Sequence, residues 1–231
     1  MNRRDIIIAI DGHSSTGKST LAKRIAHEYN LIYVDTGALY RGITFAAVKA
    51  GIAPEQILND GTVLGKLLAG AKFHFIKREK DGASELYMND LNIEREIRTL
   101  EVASRVSLYA SVPKVREYVN SILMGYRESK GVVMDGRDIG TVVLPNAHLK
   151  IFMTADAKIR AQRRFLESRK RGENPNFEEV LKNVKERDFL DENRVADPLR
   201  KAEDAILLDN SYMTEDEEMI WIERIMKERW G

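Results

Sequence analysis

Short, continuous apolar runs alternate along the chain with longer stretches in which apolar residues recur at helical spacing. The runs fall at residues 6–10, 31–34, 131–134, 149–153 (broken by Lys150) and 205–208, and each predicts a strand. The first, Ile6-Ile7-Ile8-Ala9-Ile10, is β-branched and apolar throughout, the pattern of a strand covered on both faces in a parallel sheet. Helical periods fill the gaps. Leu21, Ala22, Ile25 and Ala26 give one helix over 19–28, a second runs to about Gly51, and Pro54 restarts the chain toward Leu68. Further helices are expected over 95–109 and 113–127, with Pro113 suited to a first turn. Thr154 or Asp156 caps the next one. Asn176 with Glu179, and Thr214 with Glu217, have capping-box spacing and open the last two.

One segment breaks the alternation. Phe73 and Phe75 alternate with polar residues, Lys80-Asp81-Gly82 has hairpin character, and Leu86-Tyr87-Met88 answers before Asn89-Asp90 turns the chain into Leu91-Asn92-Ile93. Small antiparallel strands within a βα pattern indicate an inserted subdomain. The expected division is therefore a core of residues 1–64 and 106–231 with an insert at 65–105.

The first strand carries the most specific chemistry. It ends in Asp11 and then Gly12-His13-Ser14-Ser15-Thr16-Gly17-Lys18-Ser19-Thr20, which fits G-x-x-x-x-G-K-[ST] and runs into a helix. Strand, glycine-bounded loop and helix is the context in which this motif cradles a nucleotide polyphosphate. Inward-turned N–H groups and the helix N-terminus attract the phosphates. Lys18 is expected to reach the β- and γ-phosphates, and the Ser19 hydroxyl to coordinate Mg²⁺.

Composition narrows the remaining classes. The 231 residues carry 32% charged side chains but a net charge of only +1, so no global field draws the chain to nucleic acid or an anionic membrane. Cysteine is absent, which excludes disulfides, thiolate metal sites and cysteine catalysis. Five apolar residues after Arg3 and Arg4 are too few for a signal peptide, and no run reaches membrane-spanning length, so a cytoplasmic protein is expected. Nothing in the pattern demands a coiled-coil dimer, and a monomer is expected.

Several strand ends gather polar residues, where ligands of open α/β sheets collect. Asp35-Thr36-Gly37 closes the second strand and Arg41 follows one turn later, as either an anion ligand or an ordinary surface arginine. Asp135-Gly136-Arg137-Asp138 closes another; its acidic residue is either a metal-side or water-ordering carboxylate or part of a salt-bridged surface turn. Arg160, Arg163 and Arg164 share a helix face. They could close over a triphosphate as a lid, at about 158–175, or form a solvated basic face. Arg187, Asp191 and Arg194 make one stripe, either an ion-pair ladder or two cations and a hydroxyl-accepting carboxylate facing a nucleotide. The four histidines have no metal-site spacing.

Taken together, these stretches resemble the bacterial cytidylate kinase family of nucleoside monophosphate kinases. The resemblance rests on Ile10-Asp11-Gly12 into the P-loop, Asp35-Thr36-Gly37-Ala38-Leu39-Tyr40-Arg41, Glu96-Ile97-Arg98-Thr99, Asp135-Gly136-Arg137-Asp138-Ile139-Gly140-Thr141-Val142-Val143, and Arg187-Asp188 with Asp191 and Arg194. It implies an α/β fold of P-loop type, with a five-stranded parallel sheet flanked by helices, an inserted monophosphate-binding subdomain and a short lid. It implies transfer of a phosphoryl group from ATP to CMP, and to dCMP, with Mg²⁺. By position, Ser107, Arg116 and Asp138 would read cytosine, and Arg187 and Asp191 would hold the ribose. Thr36, Tyr40, Arg41, Arg137 and Arg194 would surround the acceptor phosphate, Asp135 would belong to the CMP site with them, and Arg163 would serve from the lid. His13 stands where the family usually has proline. A P-loop regulatory NTPase is the rival of another class, but the guanine-reading N-K-x-D sequence is absent; a kinase of another small acceptor is the nearer alternative.

Overall fold

The computed structural model describes residues 5–77, 84–126 and 130–231. The expected turn at Lys80-Asp81-Gly82 lies outside them. In chain order come β1 (Ile7–Gly12), α1 (Lys18–Tyr29), β2 (Ile32–Asp35), α2 (Thr36–Lys49), α3 (Pro54–Asn59) and α4 (Gly61–Ala69). Then follow β3 (Phe73–Lys77), β4 (Ser84–Met88), β5 (Leu91–Asn92), α5 (Leu100–Ala110) and α6 (Pro113–Met124). The last part holds β6 (Val132–Gly136), β7 (Leu149–Thr154), α7 (Ala157–Lys170), α8 (Phe177–Asn193), β8 (Ile206–Asp209) and α9 (Glu215–Trp230). Among the described residues the main sheet has five strands, ordered β2-β6-β1-β7-β8. The expected five-stranded parallel sheet flanked by helices is found.

The chain forms two compact units, residues 1–31 with 130–231, and residues 32–129. In the first, β1 pairs in parallel with β6 and β7, and β7 with β8. Ile8, Ile10, Val133, Met134, Leu149 and Met153 are fully buried, as expected of central strands covered on both faces. The register sets Asp11 opposite Gly136 and Gly12 opposite Met153, so three strands bring their carboxyl ends level. Gly12 is essential there. Its φ is +146°, and a Cβ on it would lie 2.0 Å from the Met153 carbonyl oxygen. Helices α7 and α8 pack through Ala161, Leu181 and Val184, with the Phe165 and Phe177 rings edge to face at 6.0 Å. Asp156 caps α7, Asn176 caps α8, and Thr214 with Glu217 forms the capping box of α9.

In the second unit, β3, β4 and β5 form a small antiparallel sheet with Phe73 opposite Met88 and Phe75 opposite Leu86. Its strands lie within the expected insert, while the unit itself extends on either side. The helix expected from Pro54 toward Leu68 is two helices, because Asp60 takes an extended conformation and its carboxylate caps α4 through Thr62 N. Thr99 likewise interrupts the expected 95–109 helix, leaving a single 3₁₀ turn before it and capping α5.

Two glycines should respond oppositely to the same substitution. Gly12→Ala forces a methyl into backbone and is expected to cost about 4 kcal/mol or more. Gly65→Ala, in α4 with nothing within 4 Å of its Cβ position, should stabilise by about 0.5–1 kcal/mol through helix propensity. Urea unfolding of both variants checks the pair.

Candidate functional site

The loop after β1 is bent by left-handed backbone at Ser15 (φ 61°) and Gly17 (φ 92°). Helix α1 starts directly from it, and the N-cap, Gly17, supplies no side-chain acceptor; the first turn holds no acidic residue. Its leading N–H groups thus have neither an intrahelical partner nor a side-chain cap. Lys18 is only 5% exposed. Its ammonium donates to the His13 carbonyl at 2.6 Å, which the Thr16 hydroxyl also meets at 3.0 Å. Burial, and next the nearby Arg137, pushes the Lys18 pKa well below the ordinary lysine value, against the pull of Asp135, Asp191 and Asp11. A buried ammonium in this setting is poised to receive an anion.

Carboxylates and guanidinium groups converge beside it. The Ser19 hydroxyl donates to Asp135 Oδ2 at 2.8 Å, spanning 116 positions of sequence. Arg137 Nε donates to Asp191 Oδ2 at 2.7 Å. Arg194 lies 3.6 Å from Asp138 Oδ1 and donates to the Asp197 carbonyl. Burial opposes the charge on Asp191, but Arg137, Arg187 and Arg194 outweigh it and hold its pKa below the usual carboxylate value. The Arg-Asp-Arg stripe of α8 and the turn after β6 therefore form one electrostatic cluster.

That turn is fixed by Asp11. Its buried carboxylate accepts the N–H groups of Ile139 and Gly140, each at 2.7 Å, where the chain makes a single π turn over Ile139–Val143. Two other arginines brace the loop itself. Arg160, 4% exposed, forms a bidentate pair with Asp188 at 2.8 and 2.6 Å and donates to the Ser14 carbonyl at 3.2 Å. Arg163 donates to the Thr16 carbonyl and to Asn210. His13 Nε2 meets Glu192 of α8 at 2.7 Å.

In the second unit, Asp35 caps α2 through Ala38 N and accepts Arg41 Nη2 at 2.7 Å, with Arg98 at 3.5 Å. Arg41 Nε is buried without a hydrogen-bond partner among the described residues. Thr36 is buried beside it at the start of α2, and the Arg116 guanidinium lies 5.6 Å from the centre of the Tyr40 ring. Ser107 is half-buried on α5.

The structure thus gathers Lys18, Ser19, Asp135, Arg137, Asp138, Arg187, Asp191 and Arg194 in one unit, and Thr36, Tyr40, Arg41, Ser107 and Arg116 in the other. Sequence reasoning did not single out Asn210, Glu192 or Arg98 as site residues. Asn210 follows the carboxyl end of β8, a position the strand-end rule could have flagged.

A buried parallel strand, a glycine-bounded anion cradle, an uncapped helix and a lysine turned into the loop define a P-loop nucleotide-binding protein. More narrowly, the chain belongs to the cytidylate kinase family, whose model matches residues 8–228. It is 48% identical to the cytidylate kinase of Flavobacterium psychrophilum over 93% of this chain and 95% of that one. It is 44% identical to the cytidylate kinase of Bacteroides thetaiotaomicron over 95% of each. Among solved structures, an uncharacterized protein from Eubacterium ventriosum superposes with a TM-score of 0.50 at 14% identity, covering 97% of this chain and 99% of that one, a likeness of fold alone.

Burial pushes the Asp11 pKa up to about 7, against the two backbone N–H groups that favour its charge. Between the ordinary value of 3.8 and about 7, the unfolded chain releases this proton while the folded chain keeps it. This group's contribution to stability therefore falls as pH rises through that window and levels off above it. Asp11→Asn lacks the titration but turns an amide donor toward a backbone donor, at a cost of about 1–3 kcal/mol. Urea unfolding from pH 4 to 8 should show the variant's deficit shrinking as pH rises; a constant deficit would contradict the assignment.

Proposed function

We propose that the chain transfers the γ-phosphoryl group of ATP to CMP, and to dCMP, giving ADP and CDP. The acceptor is a phosphomonoester carrying about −1.5 to −2 charges near neutrality, so its oxygen is already nucleophilic and no general base is required. The obstacle is repulsion between two polyanions. Cations and alignment overcome it, since phosphoryl transfer is helped mainly by electrostatics and positioning.

Lys18 would leave the His13 carbonyl for the β- and γ-phosphates, and the loop N–H groups would hold the rest of the triphosphate. Arg137 and Arg194, with Arg41 and Thr36 at the start of α2, would take the acceptor phosphate. Asp191 would hold Arg137 in place and accept the ribose hydroxyls, while Arg187 would donate to the ribose oxygens. Ser107, Arg116 and Asp138 would read the cytosine edge. The observation that carries this reading is the electrostatic convergence of Arg137, Arg187 and Arg194 on Asp191 beside a buried P-loop lysine.

The Ser19 hydroxyl and Asp135 carboxylate form an all-oxygen pair suited to Mg²⁺. No cluster of three or more His, Cys, Asp or Glu that could hold a metal occurs among the described residues. That suits an ion completed by substrate phosphates and water. Ser19 and Asp135 would help hold the ion, which would offset negative charge on the donor phosphates. Among the described residues no helix is long and apolar enough to cross a membrane, and we read the enzyme as a cytoplasmic monomer.

A coupled assay with ATP against CMP, dCMP, UMP, AMP and GMP tests the substrate directly. We expect kcat/KM for CMP to exceed that for the purine monophosphates by roughly 10⁴-fold or more, the discrimination of a site that hydrogen-bonds its substrate. Equal rates with AMP would favour the alternative acceptor. Lys18→Met should lower kcat by roughly 10³-fold or more while melting no lower than wild type, because it removes a buried charge.

A further inference from the structure

The P-loop is usually considered from the side its ligand would occupy, yet the side chains behind it are arranged with equal care. Two alternate carbonyls, Ser14 and Thr16, turn to that rear side. Arg160 Nη1 donates to the first at 3.2 Å. The second takes Asn210 Nδ2 at 2.7 Å and Arg163 Nη1 at 3.4 Å. In a trans peptide the C=O and the following N–H point in opposite directions, and the described chain contains no cis bond. Holding the Ser14 and Thr16 carbonyls rearward therefore aims the Ser15 and Gly17 N–H groups forward, into the cradle. The left-handed backbone at Ser15 and Gly17 fits this alternation.

The rear groups are themselves locked. Arg160 is pinned by both oxygens of Asp188. Asn210 is 1% exposed and uses every polar atom of its side chain. One amide hydrogen goes to Thr16 and the other to Glu218, while Oδ1 accepts Arg163 at 3.2 Å. A flipped amide would set its oxygen against the Thr16 carbonyl and the Glu218 carboxylate, so the network fixes one orientation. With no side-chain polar atom left to offer a ligand, Asn210 can act on one only through its partners, the Thr16–Gly17 peptide and Arg163.

We propose that Arg160, Arg163 and Asn210 are positioning residues for the donor nucleotide, acting by setting the Ser14–Ser15 and Thr16–Gly17 peptide planes. Arg163, which the resemblance assigns to the lid, donates here to the Thr16 carbonyl. The inference rests on the reading of this loop as the ATP phosphate site.

The test is a titration of ¹⁵N-labelled protein with ADP and Mg²⁺, following the Ser15 and Gly17 amides, in wild type, Asn210→Asp and Arg163→Met. Asn210→Asp keeps the acceptor for Arg163 but loses both donors. Arg163→Met lies on a partly exposed helix face and keeps a folded variant in hand should Asn210→Asp fail to fold. We expect ADP affinity to fall roughly tenfold in each, the effect of about one lost hydrogen bond, with displaced Ser15 or Gly17 amide shifts before ligand is added. CMP affinity should stay within about twofold, since a single lost contact elsewhere would exceed that. Lower melting temperatures with unchanged ADP affinity and unchanged amide shifts would overturn the proposal and leave the network purely structural. If ADP fails to move these amides in wild type, the donor-site reading itself falls, and the proposal with it.

Discussion

A buried ammonium that its own loop satisfies only in part is the constraint on which the rest of this structure depends. Lys18 sits on the His13 carbonyl, which the Thr16 hydroxyl already shares, and burial depresses its affinity for a proton. Such a group is costly in a folded protein unless an anion arrives. Nearly every other feature of the first unit maintains that arrangement. The level carboxyl ends of β1, β6 and β7 place the loop, Gly12 lets the chain leave β1 against the Met153 carbonyl, and Asp11 ties the turn after β6 to the same edge.

In each unit the cations are held by carboxylates. In the first, Arg137 is paired with Asp191 and Arg194 lies near Asp138; in the second, taken by itself, Arg41 is paired with Asp35. Each pair keeps a guanidinium oriented at a small net energetic gain, because desolvation offsets most of the attraction. On the proposed reading preorganisation is the functional return: donors already oriented need not reorganise during the reaction. The same logic explains why the chemistry can dispense with a general base. An acceptor phosphate brings its own nucleophilic oxygen, and what it lacks is a positive environment.

Legibility in the sequence followed the distance over which each feature is encoded. The P-loop and its flanking strand and helix are contiguous, and the motif was readable residue by residue. Four of the five strands read as continuous apolar runs and the other is broken only by Lys150, and the caps at Asp156, Asn176 and Thr214 stand next to the helices they open. Strand order was not readable, because β1 becomes central only through pairing with β6 and β7, more than a hundred residues away. The anchoring of Ile139 and Gly140 by Asp11 is hidden for the same reason. For Arg160 and Arg163 the sequence showed a shared helix face but not its direction; the partners that turn them to the P-loop, Asp188 and Asn210, follow 28 and 47 positions later. Asn210 belongs to no motif; its place after the carboxyl end of β8 could have flagged it, but its partners on the P-loop and α9 are visible only in three dimensions.

The most direct measurement is a crystal structure with ADP and CMP bound together. The account expects the Lys18 ammonium to have moved from the His13 carbonyl to a donor phosphate oxygen, with the Arg41, Arg137 and Arg194 guanidinium groups turned to the CMP phosphate. Lys18 still resting on His13, or those three arginines directed away from CMP, would contradict it.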